Sequence, residues 1–263
     1  MDLYFFLDSG IFSAAITVTP FPPSGDINSN KKKDIFICFA YPDRSQWRIK
    51  TYKKMNCYEQ ESIFGSDLGL NRDALKNTIV FLSPLYLDGS FDCLPEFNEF
   101  ESVPAWRANL KIIGKGTSVS YQGEYPYQMT KIRGGSIVSF VPFIQKSTTI
   151  KNYLFYVSFS SHVETKRGVV EFKNLKTMKK ISEFDVVSNS VNFIDLNSIV
   201  FEDGQIMITG SGIMGVPVFF STDENGKKMS LEHTMTPSEY SIFCEPEVRR
   251  SIMQNMKTYW SKV

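Results

Sequence analysis

The sequence has few of the side chains that bind transition metals. Its four cysteines are scattered, with no Cys-x-x-Cys pair, and its two histidines, His162 and His233, are far apart. Structural zinc sites use closely spaced pairs of such residues. We therefore expect isolated thiols and no metal or other cofactor.

The sequence also lacks an excess of charge and a long apolar run. A net charge of +1 provides no broad field to attract nucleic acid. No apolar segment approaches the ~18 residues of a membrane span, and the first residues carry Asp2 rather than the basic segment of a secretory signal. We expect no nucleic-acid partner, no membrane span and, by default, a cytoplasmic location. The oligomeric state is not indicated.

The residues that are abundant favour β-structure. The chain contains 22 Phe and 12 Tyr among 263 residues, and from residue 109 onward short apolar runs alternate with turns such as Asp203-Gly204 and Asn225-Gly226. Two stretches, 153–186 and 198–233, share one succession of short strands, close to the length of a propeller blade. We predict a single all-β domain over residues 1–263, a compact β-propeller of four to five blades. A β-sandwich with similar strand spacing is the alternative.

The end of the sequence changes its period. Residues 245–262 begin with Glu245-Pro246, and proline is favoured in the first turn of a helix. Apolar residues then recur at helical spacing: Val248, Ile252, Met253, Met256 and Trp260. This pattern predicts a C-terminal amphipathic helix packed on the β-structure.

Three acidic residues occur at turns beside apolar strands, about one blade apart: Asp8, Asp73 and Glu124. Glycoside cleavage needs two carboxyl groups that flank the bond, one protonated and one ionised. A third carboxylate raises the pKa of the acid by repulsion between like charges. Equivalent points of successive blades converge on a propeller axis, so this spacing would assemble an acidic site.

At these residues the sequence resembles the five-bladed β-propeller glycoside hydrolases of the fructosidase and arabinanase type. That family orders an early Asp, an Arg-Asp-Pro motif and a Glu-x-Pro motif. Glu124-Tyr125-Pro126 matches the third motif, Arg72-Asp73 matches the second without its proline, and Asp8 matches the first without its flanking Asn and Pro. The resemblance implies that Glu124 is the general acid, Asp8 the nucleophile or base, and Asp73 a modulator.

Other residues have the chemistry to bind a sugar. Aromatic rings stack on a pyranose, and a guanidinium binds a carboxylate. An acid just before a buried strand adds a further carboxylate near the propeller axis. Histidine forms a hydrogen bond with a hydroxyl group or an anion. The candidates for substrate binding are Trp106, Arg107, Tyr121, Tyr125, Tyr127, Asp195 and His233. We therefore expect a glycan-active protein, as a glycoside hydrolase or transglycosidase. The alternative is a non-catalytic β-module that binds glycan or protein.

Each acidic candidate also has an ordinary structural explanation. Glu124 before a proline is typical of an exposed turn, and Asp8 in Asp-Ser-Gly is a common turn residue. Asp73 can pair with Arg72 or cap a short helical turn. The glycine-rich segment 209–215 lacks the Lys-Ser/Thr of a phosphate-binding loop, so we interpret it as a connection between strands.

Overall fold

The computed structural model describes residues 2–20, 34–97, 106–123, 125–131, 138–141, 149–174, 177–199 and 206–233. In chain order its strands are β1 (Asp2–Phe5), β2 (Ser13–Pro20), β3 (Ile35–Asp43), β4 (Gln46–Met55), β5 (Glu61–Phe64), β6 (Ile79–Ser83), β7 (Asp88–Phe91), β8 (Trp106–Ile113), β9 (Ser118–Gln122), β10 (Tyr125–Pro126), β11 (Val138–Val141), β12 (Ile150–Ser158), β13 (Arg167–Asn174), β14 (Lys180–Val187), β15 (Ser190–Asp195), β16 (Ile206–Ser211), β17 (Val216–Asp223) and β18 (Met229–His233). The α-helix α1 (Arg72–Leu75) lies between β5 and β6, and short 3-10 turns cover Gly65–Leu68 and Tyr127–Lys131. The prediction of an all-β fold is confirmed.

Local turn chemistry explains two of the hairpins. Arg44, at φ 57°, makes the sharp turn from β3 to β4, and the two strands pair in antiparallel register. Between β17 and β18, Gly226 has φ 65°. There the Asp223 carboxylate accepts hydrogen bonds from the backbone amides of Lys227 at 2.7 Å and Lys228 at 3.1 Å. Positive φ values and side-chain acceptors of this kind are what tight turns require.

The strands form four antiparallel sheets whose order reveals a duplication. Sheet 1 has the order β10-β1-β6-β3-β4-β7, sheet 2 β5-β2-β8-β9, sheet 3 β11-β16-β13-β14 and sheet 4 β15-β12-β17-β18. Strands β11 to β16 take the places of β1 to β6, and β17 and β18 take those of β8 and β9. Sheet 3 therefore repeats the four inner strands of sheet 1, and sheet 4 repeats sheet 2. The two equivalent edge strands β9 and β18 lie beside each other.

The propeller prediction is not confirmed by this topology. A propeller blade is one small sheet, and the predicted blades were the stretches 153–186 and 198–233. The structure divides the first stretch between sheet 4, which takes β12, and sheet 3, which takes β13 and β14. Strands β16 and β17 of the second stretch are divided in the same way. The stretches 153–186 and 198–233 therefore do not form one blade each, because both contribute strands to sheet 3 and to sheet 4.

Sheet 4 is buried on both faces and joins two clusters of core side chains. Tyr153, Phe155 and Val157 of β12 belong to the large cluster formed with sheets 1 and 2. The intervening Leu154 and Tyr156 belong to a second cluster with sheet 3. Side chains alternate between the two faces of a strand, so the unbroken apolar run of β12 reflects burial on both sides.

Several predictions about chain organisation remain open. The predicted helix at 245–262 lies outside the described residues, and the single domain over 1–263 stays a prediction. In the part of the chain that the structure describes, no helix is long and apolar enough to cross a membrane.

Candidate functional site

Two of the three acidic candidates lie in the same cleft. Asp8, in the loop between β1 and β2, and Asp73, in α1, line one side of it. Residues of β14 and β15 line the other side, and the cleft has a volume of about 760 Å³. Asp8 and Asp73 thus line one cleft although 65 positions separate them, and the convergence of three carboxyl groups on one site stays a prediction.

Asp8 is held in place by its own loop and by Arg72. One carboxylate oxygen, Oδ1, accepts a hydrogen bond from the Gly10 amide at 2.8 Å, and Oδ2 lies 3.4 Å from Arg72 Nε. Gly10 has φ 71°, and a Cβ atom there would lie 0.6 Å from Arg72 Nη2. Glycine is favoured at this position because its backbone is left-handed, and the Arg72 guanidinium occupies the space beside its Cα atom. The Asp8 side chain, 11% exposed, is therefore part of a rigid turn.

Asp73 owes its position to the short helix α1. The helix begins after Asn71, whose side-chain oxygen accepts a hydrogen bond from the Ala74 amide at 2.8 Å and so caps the helix. Lys76 Nζ donates to Asp73 Oδ1 at 2.8 Å. This hydrogen bond and the positive charges of Lys76 and Arg72 lower the pKa of Asp73. Asp73 is consequently ionised at neutral pH and is not suited to act as a general acid.

The opposite wall is the hairpin of β14 and β15. Its turn includes Asn189 at φ 56°. Asn192 fixes the hairpin, because its side chain accepts a hydrogen bond from the Val187 amide at 2.9 Å and donates to the Val187 carbonyl at 2.9 Å. The Val191 amide donates to the Lys76 carbonyl at 2.8 Å, so the two walls are joined directly. The cleft is therefore largely pre-formed.

The cleft carries charges of both signs. Its lining includes the carboxylates of Asp8, Asp73 and Asp185 and the cations of Arg72 and Lys76. The balance of three negative and two positive groups gives no strong field for an anion. It offers hydrogen-bond donors and acceptors side by side, which is the arrangement that a neutral ligand rich in hydroxyl groups requires.

The two tyrosines of the Glu124 segment are core residues. Tyr125 is 0% exposed and Tyr127 4% exposed, because β10 pairs with β1 inside the fold. The Tyr127 hydroxyl donates to the Leu94 carbonyl at 2.8 Å, and burial raises its pKa to about 12. Burial also raises the pKa of Tyr125. The structure therefore corrects the prediction that these two rings face a ligand.

Among the candidates whose side chains the structure describes, Asp195 and Tyr121 do not join Asp8 and Asp73 in the cleft lining. Asp195 ends β15 and accepts hydrogen bonds from the Asn197 amide at 2.8 Å and its side chain at 2.6 Å, as a turn residue does. The Tyr121 ring lies against Gly123, and burial raises its pKa. Glu124 lies outside the described residues, as do the side chains of Trp106, Arg107 and His233.

Sequence reasoning did not identify the residues that give the cleft its balance of charge. Arg72 and Lys76 are four positions apart and so lie on one side of a helical turn. The capping residue Asn71 marks the start of that turn, and this signal was available in the sequence. Asp185 had no such signal, because an acid in the middle of an exposed strand is common.

Comparison with known proteins adds no relative: no protein-family description matches the chain, and no curated protein is similar to it. The resemblance to propeller hydrolases therefore stays a hypothesis supported by short motifs.

Proposed function

We propose that the protein binds a glycan in the cleft between Asp8, Asp73 and the β14–β15 hairpin. The observation that carries this proposal is the mixed lining of the cleft, which includes both carboxylates and cations around a volume of about 760 Å³. Ligand sites for small molecules typically have volumes of about 300 to 1,000 Å³. The cleft is therefore large enough for a short oligosaccharide.

The chemistry of the lining matches that of a sugar. Each sugar hydroxyl both donates and accepts a hydrogen bond, so it pairs with a carboxylate and with a cation at the same time. The Arg72 side chain is 61% exposed and Lys76 44%, which leaves donors available beside their carboxylate partners. Phe193, half-buried in the lining, supplies an apolar surface for the faces of sugar rings.

Removing the charges of the cleft is expected to weaken glycan binding. A glycan panel would first identify a ligand, and titration calorimetry would then compare the wild type with an Arg72→Met/Asp73→Asn double variant. Hydrogen bonds to charged groups contribute about 1.5 to 3 kcal/mol each, so the double variant should bind at least about tenfold more weakly.

A matched control uses the ion pair between Lys54 and Asp34, which are 2.7 Å apart and similarly exposed but do not line the cleft. The Lys54→Met/Asp34→Asn variant should bind as the wild type does. Equal affinity of all three proteins, or the absence of any glycan ligand, would contradict the proposal.

Hydrolysis is the second candidate, and the convergence of Asp8 and Asp73 in one cleft favours it. Glycosidases require two carboxyl groups on either side of the bond. Asp73 stays ionised beside Lys76, so the proton donor would have to be another carboxyl group, and the resemblance assigns that role to Glu124. The propeller architecture belongs to this hypothesis and not to the proposal of binding.

The hydrolase hypothesis predicts that Glu124→Gln abolishes turnover and retains ligand binding, because glutamine keeps the shape of the side chain but cannot donate the proton. Release of reducing sugar from the glycan found by the panel would measure turnover, and calorimetry would measure binding. Undiminished activity in this variant would remove Glu124 from the mechanism. Binding without hydrolysis by the wild type would leave the protein as a binding module.

A further inference from the structure

A second, smaller cavity lies apart from the cleft and shares no lining residue with it. Its volume is about 210 Å³. The walls come from the end of β12 and the segment that follows it, from the connection between β16 and β17, and from the 3-10 turn that ends at Lys131. None of its residues was predicted to be functional, and the proposed glycan site does not use it.

The walls of this cavity are fixed by hydrogen bonds. Ser158 Oγ donates to the Met214 carbonyl at 2.6 Å. Ser188 Oγ accepts from the Lys166 amide at 2.8 Å and donates to the Glu164 carbonyl at 3.2 Å. Because these bonds hold three separate segments together, the cavity exists before any ligand enters, and binding requires little reorganisation.

Two lysines are among the lining residues of this cavity. Lys131 and Lys166 are lining residues, and Glu164 is the one carboxylate among those described in the lining. Lys166 Nζ lies 3.4 Å from Glu164 Oε2, beyond the usual length of a charge-assisted hydrogen bond. Lys131 is paired with Glu96 at 2.6 Å, a residue outside the lining. The lining therefore carries two ammonium groups, each beside a carboxylate, and only Glu164 of the two carboxylates belongs to the described lining.

His162 adds a directed group to the same cavity. Its Nδ1 atom is 3.1 Å from Ser161 Oγ, which leaves Nε2 as the ring atom that can meet a ligand. The backbone at this point is firmly held, since the Ser161 carbonyl accepts hydrogen bonds from Trp47 Nε1 at 2.9 Å and from the Leu94 amide at 2.8 Å. The orientation of the imidazole is thus supported by the core.

We propose that this cavity binds a small oxyanion, the phosphate or carboxylate group of a free ion or of a small metabolite. Lys166 and Lys131 would supply the charge, and the imidazole of His162 and the hydroxyl of Ser161 would supply directed hydrogen bonds. A water molecule occupies about 30 Å³ in the liquid, so a volume of about 210 Å³ holds an ion of this size but not an oligosaccharide. The ligand class differs from that of the cleft because this cavity is smaller and has a different set of lining residues.

The two histidines of the chain make the test specific. Ring signals of His162 and His233 can be recorded by NMR and assigned with His162→Gln. Inorganic phosphate is then added at constant ionic strength, with chloride as the compensating ion. The expected result is a saturable shift of the His162 signal, with the His233 signal unchanged.

Variants establish which groups hold the ion. Lys166→Met is expected to weaken phosphate binding about tenfold or more, the effect of one charge-assisted hydrogen bond, and Lys131→Met provides an independent second variant. Lys173→Met is the control, because Lys173 is also paired with a carboxylate, Glu171, at 2.6 Å and lies outside the cavity. It should bind as the wild type does.

Parallel titrations with acetate and with glucose 6-phosphate distinguish the sources of the oxyanion. Tighter binding of the sugar phosphate than of phosphate would identify a metabolite ligand, and equal binding a free ion. Tighter binding of acetate would identify a carboxylate. The proposal is overturned if none of the three anions gives a saturable shift, or if the two cavity variants bind like the control. The outcome of these titrations does not depend on whether the cleft binds a glycan.

Discussion

The protein is expected to unfold within about two pH units above pH 10, because several phenol groups are kept neutral in its core. Tyr125 and Tyr156 are 0% and 1% exposed, and Tyr127 4%. Burial raises the pKa of all three from the ordinary value of 10, that of Tyr127 to about 12. The pKa of the Cys38 thiol is raised from 9 to about 11, also by burial.

The direction of the effect follows from which state ionises first. In the unfolded chain these tyrosines lose their protons near pH 10, whereas in the folded chain they keep them. Stability is therefore fully present below pH 10 and is lost as the pH rises through the folded-state pKa values. Three such groups together lower the free energy of unfolding by about 4 kcal/mol for each pH unit. Because the free energy of unfolding of a protein is commonly about 5 to 15 kcal/mol, a rise of about two pH units removes much of it. Cys38 begins to contribute from about pH 9.

Urea unfolding at a series of pH values would measure the slope of the free energy of unfolding against pH. Tyr156→Phe should reduce it by about 1.4 kcal/mol per pH unit, since one ionising group is removed. Tyr86→Phe is the control, because Tyr86 is 64% exposed and its removal should leave the slope unchanged. Smooth ionisation of all twelve tyrosines in a chain that stays folded, followed by absorbance, would contradict the expectation.

The sequence was sufficient for the strands and several turns, because those depend on neighbouring residues. The turn at Gly226 forms at the Asn225-Gly226 pair that predicts it. Which strands share a sheet could not be predicted from neighbouring residues. β12 pairs with β15 and β17, both distant in the chain, and the similar runs of the two stretches gave no criterion for choosing between partners.

The candidate site shows the same division between local and distant information. The sequence suggested that Asp8 and Asp73 lie close together, but it did not show that Lys76 and Arg72 lower the pKa of Asp73. Tyr125 follows Glu124 in a segment whose composition is typical of an exposed turn. It is buried because β10 joins the edge of sheet 1 beside β1, and no residue near Tyr125 in the sequence reports that pairing.

The glycine-rich segment 209–215 has a packing role that leads to the most selective prediction. A Cβ atom on Gly210 would lie 2.1 Å from the hydroxyl oxygen of Tyr156 and 3.0 Å from its Cζ atom. A Cβ atom on Gly215 would lie 2.3 to 2.8 Å from the Cε1, Cζ and Cδ1 atoms of the same ring. The two glycines thus make room for one buried tyrosine, the first at its hydroxyl and the second at its ring.

Gly210→Ala and Gly215→Ala are each expected to lower the free energy of unfolding by about 2 to 3 kcal/mol, the usual cost of overpacking a core. Tyr156 cannot move aside without disturbing the cluster that it shares with sheet 3. Gly116→Ala is the control: Gly116 has φ 83° but no atom within 4 Å of the added Cβ. It should cost only the backbone strain, about 1 to 2 kcal/mol, and show no coupling to Tyr156.

Combining each variant with Tyr156→Phe separates the two contacts. Loss of the hydroxyl removes the clash at Gly210, so Gly210→Ala in the Tyr156→Phe background should recover about 1 to 2 kcal/mol relative to the sum of the single changes. The ring atoms that meet Gly215 remain in phenylalanine, and Gly215→Ala should show no such recovery. Urea denaturation of the six proteins completes both double-mutant cycles. Equal recovery at the two positions, or none at Gly210, would show that the glycines do not divide the contact with Tyr156 between its hydroxyl and its ring.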